Sequence, residues 1–144
     1  MTMTGLEVFD KTIHTTNNWM QDILFELNWE DRHRGYLALR ACLQSLRDRL
    51  TVEKAAHLGA QLPMLIRGFY YEGWKPAGKP ERLKNKDDFL GKLSDYFPDG
   101  LNVEPETLAR AVFKTLYHRV SQGEIQDIKQ ILPPELEELW PRKM

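Results

Sequence analysis

Apolar residues recur along this chain at steps of three and four, the spacing of one face of a helix. Phe9, Ile13, Met20, Ile23 and Leu27 form a first stripe, with Thr16 in register between them. Asn28-Trp29-Glu30-Asp31 interrupts it, and Asp31 has the chemistry of an N-cap, a short acceptor able to take a first-turn N–H. Tyr36, Leu39, Leu43, Leu46 and Leu50 form the second stripe. Thr51 caps a third, shorter helix that carries Val52, Ala55, Leu58 and Leu62. Pro63 fits the first turn of a fourth, Met64 to Tyr71, where its missing N–H is not needed, and Gly73 ends it.

The same plan returns about 70 positions later. Asn85 with Asp88 gives a cap and an acidic first turn, and Phe89, Leu90, Leu93 and Phe97 match Trp19, Met20, Ile23 and Leu27. Pro98-Asp99-Gly100 reads as a turn, and Pro105 sits where a first helical residue belongs. Leu108, Val112, Leu116 and Val120 make the next stripe. Ser121-Gln122-Gly123-Glu124 is a capping box by sequence, and Ser121 aligns with Thr51. Ile125, Ile128, Ile131 and Leu132 follow, and Pro133-Pro134 opens a last short helix that ends near Trp140. Arg40-Ala41 aligns with Arg110-Ala111, Arg49 with Arg119, and Leu62-Pro63 with Leu132-Pro133.

β-branched residues are scarce and alternation is absent, so no strand is expected. The fold class that follows is all-α, about eight helices arranged as two tandem four-helix repeats. Residues 1–74 form the first repeat with its N-terminal helix, 75–84 a linker and 85–144 the second, with one core shared between them. The linker holds Pro76, Gly78 and Pro80, and Lys75, Lys79, Arg82, Lys84 and Lys86 crowd it, which reads as a solvated hinge.

The string His57-Leu58-Gly59-Ala60-Gln61-Leu62-Pro63 with Arg67-Gly68 and Tyr70-Tyr71-Glu72-Gly73-Trp74 resembles a bacterial family known as domain of unknown function 2267. Trp29-Glu30-Asp31-Arg32, Arg47-Asp48-Arg49-Leu50, Leu108-Ala109-Arg110-Ala111-Val112 and Leu132-Pro133 are similar to it as well. The resemblance covers nearly the whole chain and implies a small, helical, duplicated bacterial protein; it brings no catalytic residues with it.

Composition narrows the function classes. At 144 residues, 42% of them apolar and 28% charged, the chain suits one globular core rather than disorder. A net charge of -1 disfavours a protein built around the phosphate backbone, which needs a strong positive field. One cysteine, Cys42, allows no internal disulfide and points to a reducing cytoplasm. No apolar run is long enough to span a bilayer, and the first ten residues lack the pattern of a signal peptide.

No motif of high specificity carries chemistry. His14, His33, His57 and His118 lack the spacing of a metal site, and Glu30, Asp31 and His33 are neighbours that point apart on a helix. No metal or cofactor is therefore expected. Cys42 lies beside the second stripe and reads as a buried, inert thiol. Gly68 and Gly73 make no phosphate loop. Ala55, Gly59 and Leu65 mimic a helix-turn-helix spacing, yet the would-be reading helix, Pro63 to Tyr70, offers a single arginine. Arg40 and Arg110 sit mid-helix in matching places, where either pairing with acids of their own half or snorkelling over apolar surface suits them, with a duplicated anion site as the sharper alternative.

Two function classes remain, with DNA binding a distant third. The leading one is a non-enzymatic protein-interaction module, binding a protein partner or itself through Arg67, Tyr71 and Trp74 on the Arg67–Trp74 face, while Leu62, Ile66 and Phe69 belong to the core. The alternative is an enzyme or small-ligand-binding protein with a site between the repeats, lined by His57, Arg67, Tyr70 and Glu72.

Overall fold

The computed structural model describes residues 3–82, 85–97, 100 and 103–142, which form eight α-helices and no strand. The first four are α1 (Glu7–Leu27), α2 (Arg32–Arg49), α3 (Val52–Gln61) and α4 (Met64–Tyr71). The last four are α5 (Lys86–Asp95), α6 (Pro105–Arg119), α7 (Gln122–Ile131) and α8 (Pro134–Glu137). The chain is all-α, and none of the described helices is long and apolar enough to cross a membrane.

The capping residues read from sequence make the bonds that define helix starts. Asp31 accepts from the N–H groups of His33 and Arg34, Thr51 from Lys54, Asn85 from Asp88 and Ser121 from Glu124. Each cap of this kind stabilises its helix by about 1 kcal/mol. The return bond of the capping box is different from expectation. The Ser121 N–H donates to Gln61 Oε1 at 2.9 Å, while the Glu124 carboxylate lies 3.8 Å from Lys54. α3 and α7 pack against each other, so the end of α3 supplies the acceptor instead. At the end of α1, Asn28 adopts the left-handed conformation (φ 55°) and its N–H reaches the carbonyls of Leu24 and Phe25. In the expected Pro98-Asp99-Gly100 turn, Pro98 and Asp99 lie outside the described residues; Gly100 has φ 82°.

α2 and α6 pack against each other at the centre. α1 lies on both of them, and so does α5. α4 covers α1, α2 and α3, and α8 covers α5 and α7. One buried cluster draws on every helix, from Trp19 and Ile23 to Leu136 and Trp140. Gly35 lets α2 lie close to α1: a Cβ there would lie 2.8 Å from Leu24 and 3.0 Å from Met20. α3 and α7 begin and end 70 positions apart, α4 and α8 begin 70 apart, and α2 and α6 end 70 apart.

Three of the expected stripes are less buried at their ends than their spacing implies. Phe9, Val52 and Ile131, at helix extremities, are 47%, 41% and 39% exposed. Phe69, expected in the core beside Leu62 and Ile66, is half-buried, and Tyr70 takes the inward place with no exposure. The reason is rotational: Ile66 and Tyr70 are four apart and face inward together. A phenol can be buried there because its hydroxyl donates to the Ala55 carbonyl at 2.7 Å.

The end of α4 is held from outside. Its last carbonyls have no partner within the helix, and side chains of α2 supply one. Gln44 Nε2 donates to Phe69 O at 2.8 Å, and Arg47 Nη1 donates to Tyr70 O at 2.8 Å and Glu72 O at 2.9 Å. The rest of the Arg47 fork, only 4% exposed, grips Asp48 Oδ1 at 2.8 Å and Oδ2 at 3.1 Å. Asp48 also receives Lys92 of α5 at 2.8 Å, and its backbone carbonyl accepts the Glu81 N–H at 2.8 Å. The Glu81 carboxylate pairs with Lys92 and with Lys79. The segment read as a solvated hinge is thus strapped to α2 and α5 at Lys79 and Glu81, because those charges find buried partners; Lys84 lies outside the described residues.

Removing one member of this cluster leaves the others buried and uncompensated. Arg47→Ala is expected to lower stability by about 3–5 kcal/mol in urea melts. Burial alone pushes the Asp48 carboxyl up, but hydrogen bonds and charge from Arg47 and Lys92 outweigh it and hold it below 3.8. A carboxyl depressed in the folded state stabilises it above the unfolded pKa, and that stabilisation is lost as pH falls through the lower folded value. The stability gap between wild type and Asp48→Asn is therefore expected to be full above the ordinary carboxylate range and to close as pH falls below it, read from urea melts across that range.

Candidate functional site

Three helices frame an open groove of about 640 Å³. α1 contributes Thr16, Asn17 and Met20, α2 contributes Arg32, His33 and Tyr36, and α4 with its cap contributes Leu65, Gly68, Phe69 and Glu72. The Leu65 N–H, one of the groups a helix start leaves unpaired, donates to Thr12 Oγ1 at 3.1 Å and so fixes the start of α4 on α1. Tyr36 and Phe69 meet edge to face at 5.3 Å and form one wall. Arg40 Nε lies 3.3 Å from the Glu72 carboxylate. Arg32 donates to Asn17 Oδ1, and Thr16 Oγ1 is buried with no hydrogen-bond partner.

The volume lies in the range of small-molecule sites, and an apolar floor with a few convergent polar groups is their usual lining. This lining can bind and orient a guest. A hydroxyl becomes a nucleophile through a base bonded to it, and Thr16 Oγ1 has no such bond. Among the described residues no three His, Cys, Asp or Glu side chains cluster as metal ligands do.

The residues expected at an interaction face do lie together, over the elbow of α3 and α4, but they are engaged within the chain. Arg67 donates to the carbonyls of Gly59 (2.8 Å), Ala60 (3.2 Å) and Leu62 (2.9 Å), closing the end of α3. The Tyr71 ring lies against Gly59, where a Cβ would come within 2.3 Å of its hydroxyl. Tyr71 also packs against Tyr70 at 4.9 Å and Trp74 at 5.4 Å. All three side chains are half-buried.

The other expected set does not converge. Tyr70 is sealed in the core, where burial raises its phenol above the usual range. His57 is exposed, 4.0 Å from Glu53. Of His57, Arg67, Tyr70 and Glu72, only Glu72 lines the groove. The groove itself lies within the first half rather than between halves. A smaller cavity of about 410 Å³ does lie between α1 and α6, but its charges are already matched, Asp22 with Arg119 at 2.8 Å and Glu26 with Lys114 at 3.1 Å.

Sequence reading missed Thr16, Asn17, Arg32, Leu65 and Gly68 as site residues. One signal was available. Gly68 interrupts a helix, where glycine costs about 0.5–1 kcal/mol against alanine. A Cβ at Gly68 would meet nothing within 4 Å, so packing does not demand glycine there, unlike Gly35 and Gly59.

Arg67→Ala is expected to cost about 1–3 kcal/mol in urea melts, because three carbonyls lose a charged donor. Cys42 is fully buried and burial raises its thiol well above its usual range, so an alkylating reagent should label it far more slowly in the native than in the unfolded protein.

No curated protein matches the chain. One family model covers residues 16–139, a span that includes the whole groove, the Arg47–Asp48 cluster and both halves of the helical plan. The chain belongs to that family, described as uncharacterized conserved protein (DUF2267).

Proposed function

We propose that this protein is a non-enzymatic binding module whose site is the groove framed by α1, α2 and α4, and that it receives a small apolar or amphipathic guest. The observation that carries the reading is a contrast between the halves. We take residues 1–74 and 85–144 as copies of one four-helix unit joined by 75–84, in keeping with the 70-residue offset of the helix ends. On that offset Thr16, Tyr36 and Gly68 of the groove correspond to Lys86, Glu106 and Glu138. In the second half these three are cross-linked: Lys86 Nζ lies 3.2 Å from Glu106 and 3.0 Å from Glu138. Arg110, the counterpart of Arg40, adds a bond to Glu106 and another to the Glu138 carbonyl at 2.9 Å. Where one half places an ionic bridge, the other keeps a threonine, a ring and a bare glycine along an open groove.

Gly91 and Gly123 are also helical with nothing within 4 Å, so openness alone marks no site; Gly68 differs in forming a groove wall. The alternative of a protein-docking surface draws on the same region, where Val8, Phe9, Met64 and Leu65 are each 47–54% exposed on α1 and α4. A small-molecule guest suits the concave shape better.

The neutral fluorescent dye N-phenyl-1-naphthylamine is expected to bind the wild type with one site. Gly68→Leu is expected to abolish that binding by filling the groove, while leaving stability equal or higher, since leucine is the better helix former by about 0.5–1 kcal/mol. Dye binding that survives Gly68→Leu would place the site elsewhere.

A further inference from the structure

The groove carries charge at both ends, and the two ends are not equivalent. At the α4 end the Glu72 carboxylate is met by Arg40 at 3.3 Å. At the α2 end Arg32 is met by the neutral carbonyl of Asn17, and among the described residues no carboxylate forms an ion pair with it. Other arginines of the chain do find carboxylates: Arg40, Arg47, Arg110 and Arg119 each have one within 3.3 Å. Arg32 is thus a guanidinium on a groove wall with an uncommitted edge and an apolar floor beside it.

We infer that the guest of this groove is an amphipathic monocarboxylate, its head on the Arg32 fork and its apolar tail along Met20, Tyr36, Leu65 and Phe69; this rests on the groove being the binding site. A planar carboxylate matches a guanidinium with two parallel hydrogen bonds. One guanidinium balances one charge, which suits a monoanion better than a phosphate monoester carrying close to two. A cationic head would have to share the Glu72 carboxylate with Arg40, which already offsets its charge. A neutral head would leave the exposed Arg32 fork to water and gain nothing from it.

Displacement of bound N-phenyl-1-naphthylamine by four compounds with the same tail tests this: decanoate, decanol, decylamine and decyl phosphate. Decanoate is expected to displace the dye at about a tenfold lower concentration than decanol, the factor set by one charge-assisted contact. Arg32→Gln should erase that difference and leave decanol unchanged, with helix content and melting as in the wild type. Arg32→Lys, which keeps the charge without the fork, should fall between them. Equal displacement by decanoate and decanol, a preference for the amine or the phosphate, or a carboxylate preference that survives Arg32→Gln would each overturn the inference while leaving the groove reading standing. Failure of the dye to bind the wild type at all would overturn both.

Discussion

The structure depends on one buried guanidinium. Arg47 touches the carbonyls that end α4, the carboxylate of its neighbour Asp48 and, through Asp48, the strap and α5. A helix end without a partner in the protein or in water is costly to bury, and α4 ends against α2. Arg47 and Gln44 solve that by donating to Phe69, Tyr70 and Glu72. The same contacts fix the roll of α4, which turns Tyr70 inward and leaves Phe69 and Glu72 on the groove. The groove is therefore a by-product of how the end of α4 is satisfied, and its wall is as rigid as that hydrogen-bonded end.

Burying so much charge is not a cheap route to stability in itself, since desolvation opposes the Coulomb gain. Asp48 is reached by Lys92 from α5 and by the Glu81 backbone, so the cluster joins α2, α5 and the strap through one carboxylate-bearing residue.

Much of the fold was legible in the chain, and the reasons are local. Asp31, Thr51, Asn85 and Ser121 are acceptors followed by a first helical turn, and each makes the bond its chemistry implies. Stripes at three and four name a face, and Leu46, Leu58 and Ile66 are buried accordingly. What the pattern could not give is which of two adjacent apolar residues faces inward. Phe69 and Tyr70 differ by about 100° on the helix, and the groups that settle the roll, Arg47 and Gln44 at the α4 carbonyls and the Ala55 carbonyl at the Tyr70 hydroxyl, come from other helices. Arg67 is a similar case: as a bare residue it looks like an interface anchor, and its partners within the chain are three carbonyls eight to five residues earlier. The groove was illegible because its lining comes from three helices far apart in sequence. Arg47 also gave no warning, since a charged residue between apolar positions reads as a solvated one.

The crossed packing has a consequence for how such a chain can vary. α1 lies on α6 as well as α2, and α5 lies on α2 as well as α6. A single four-helix unit of this kind would expose the face that its second helix presents to its counterpart, and would cover it only by pairing with an identical copy. Such a homodimer is symmetric, so any groove in it exists twice and any change strikes both sites at once. A single chain with a strapped linker is not bound by that symmetry. Lys86, Glu106 and Glu138 are cross-linked in its later part. Its earlier part holds Gly68 on a groove wall with no such bridge across it.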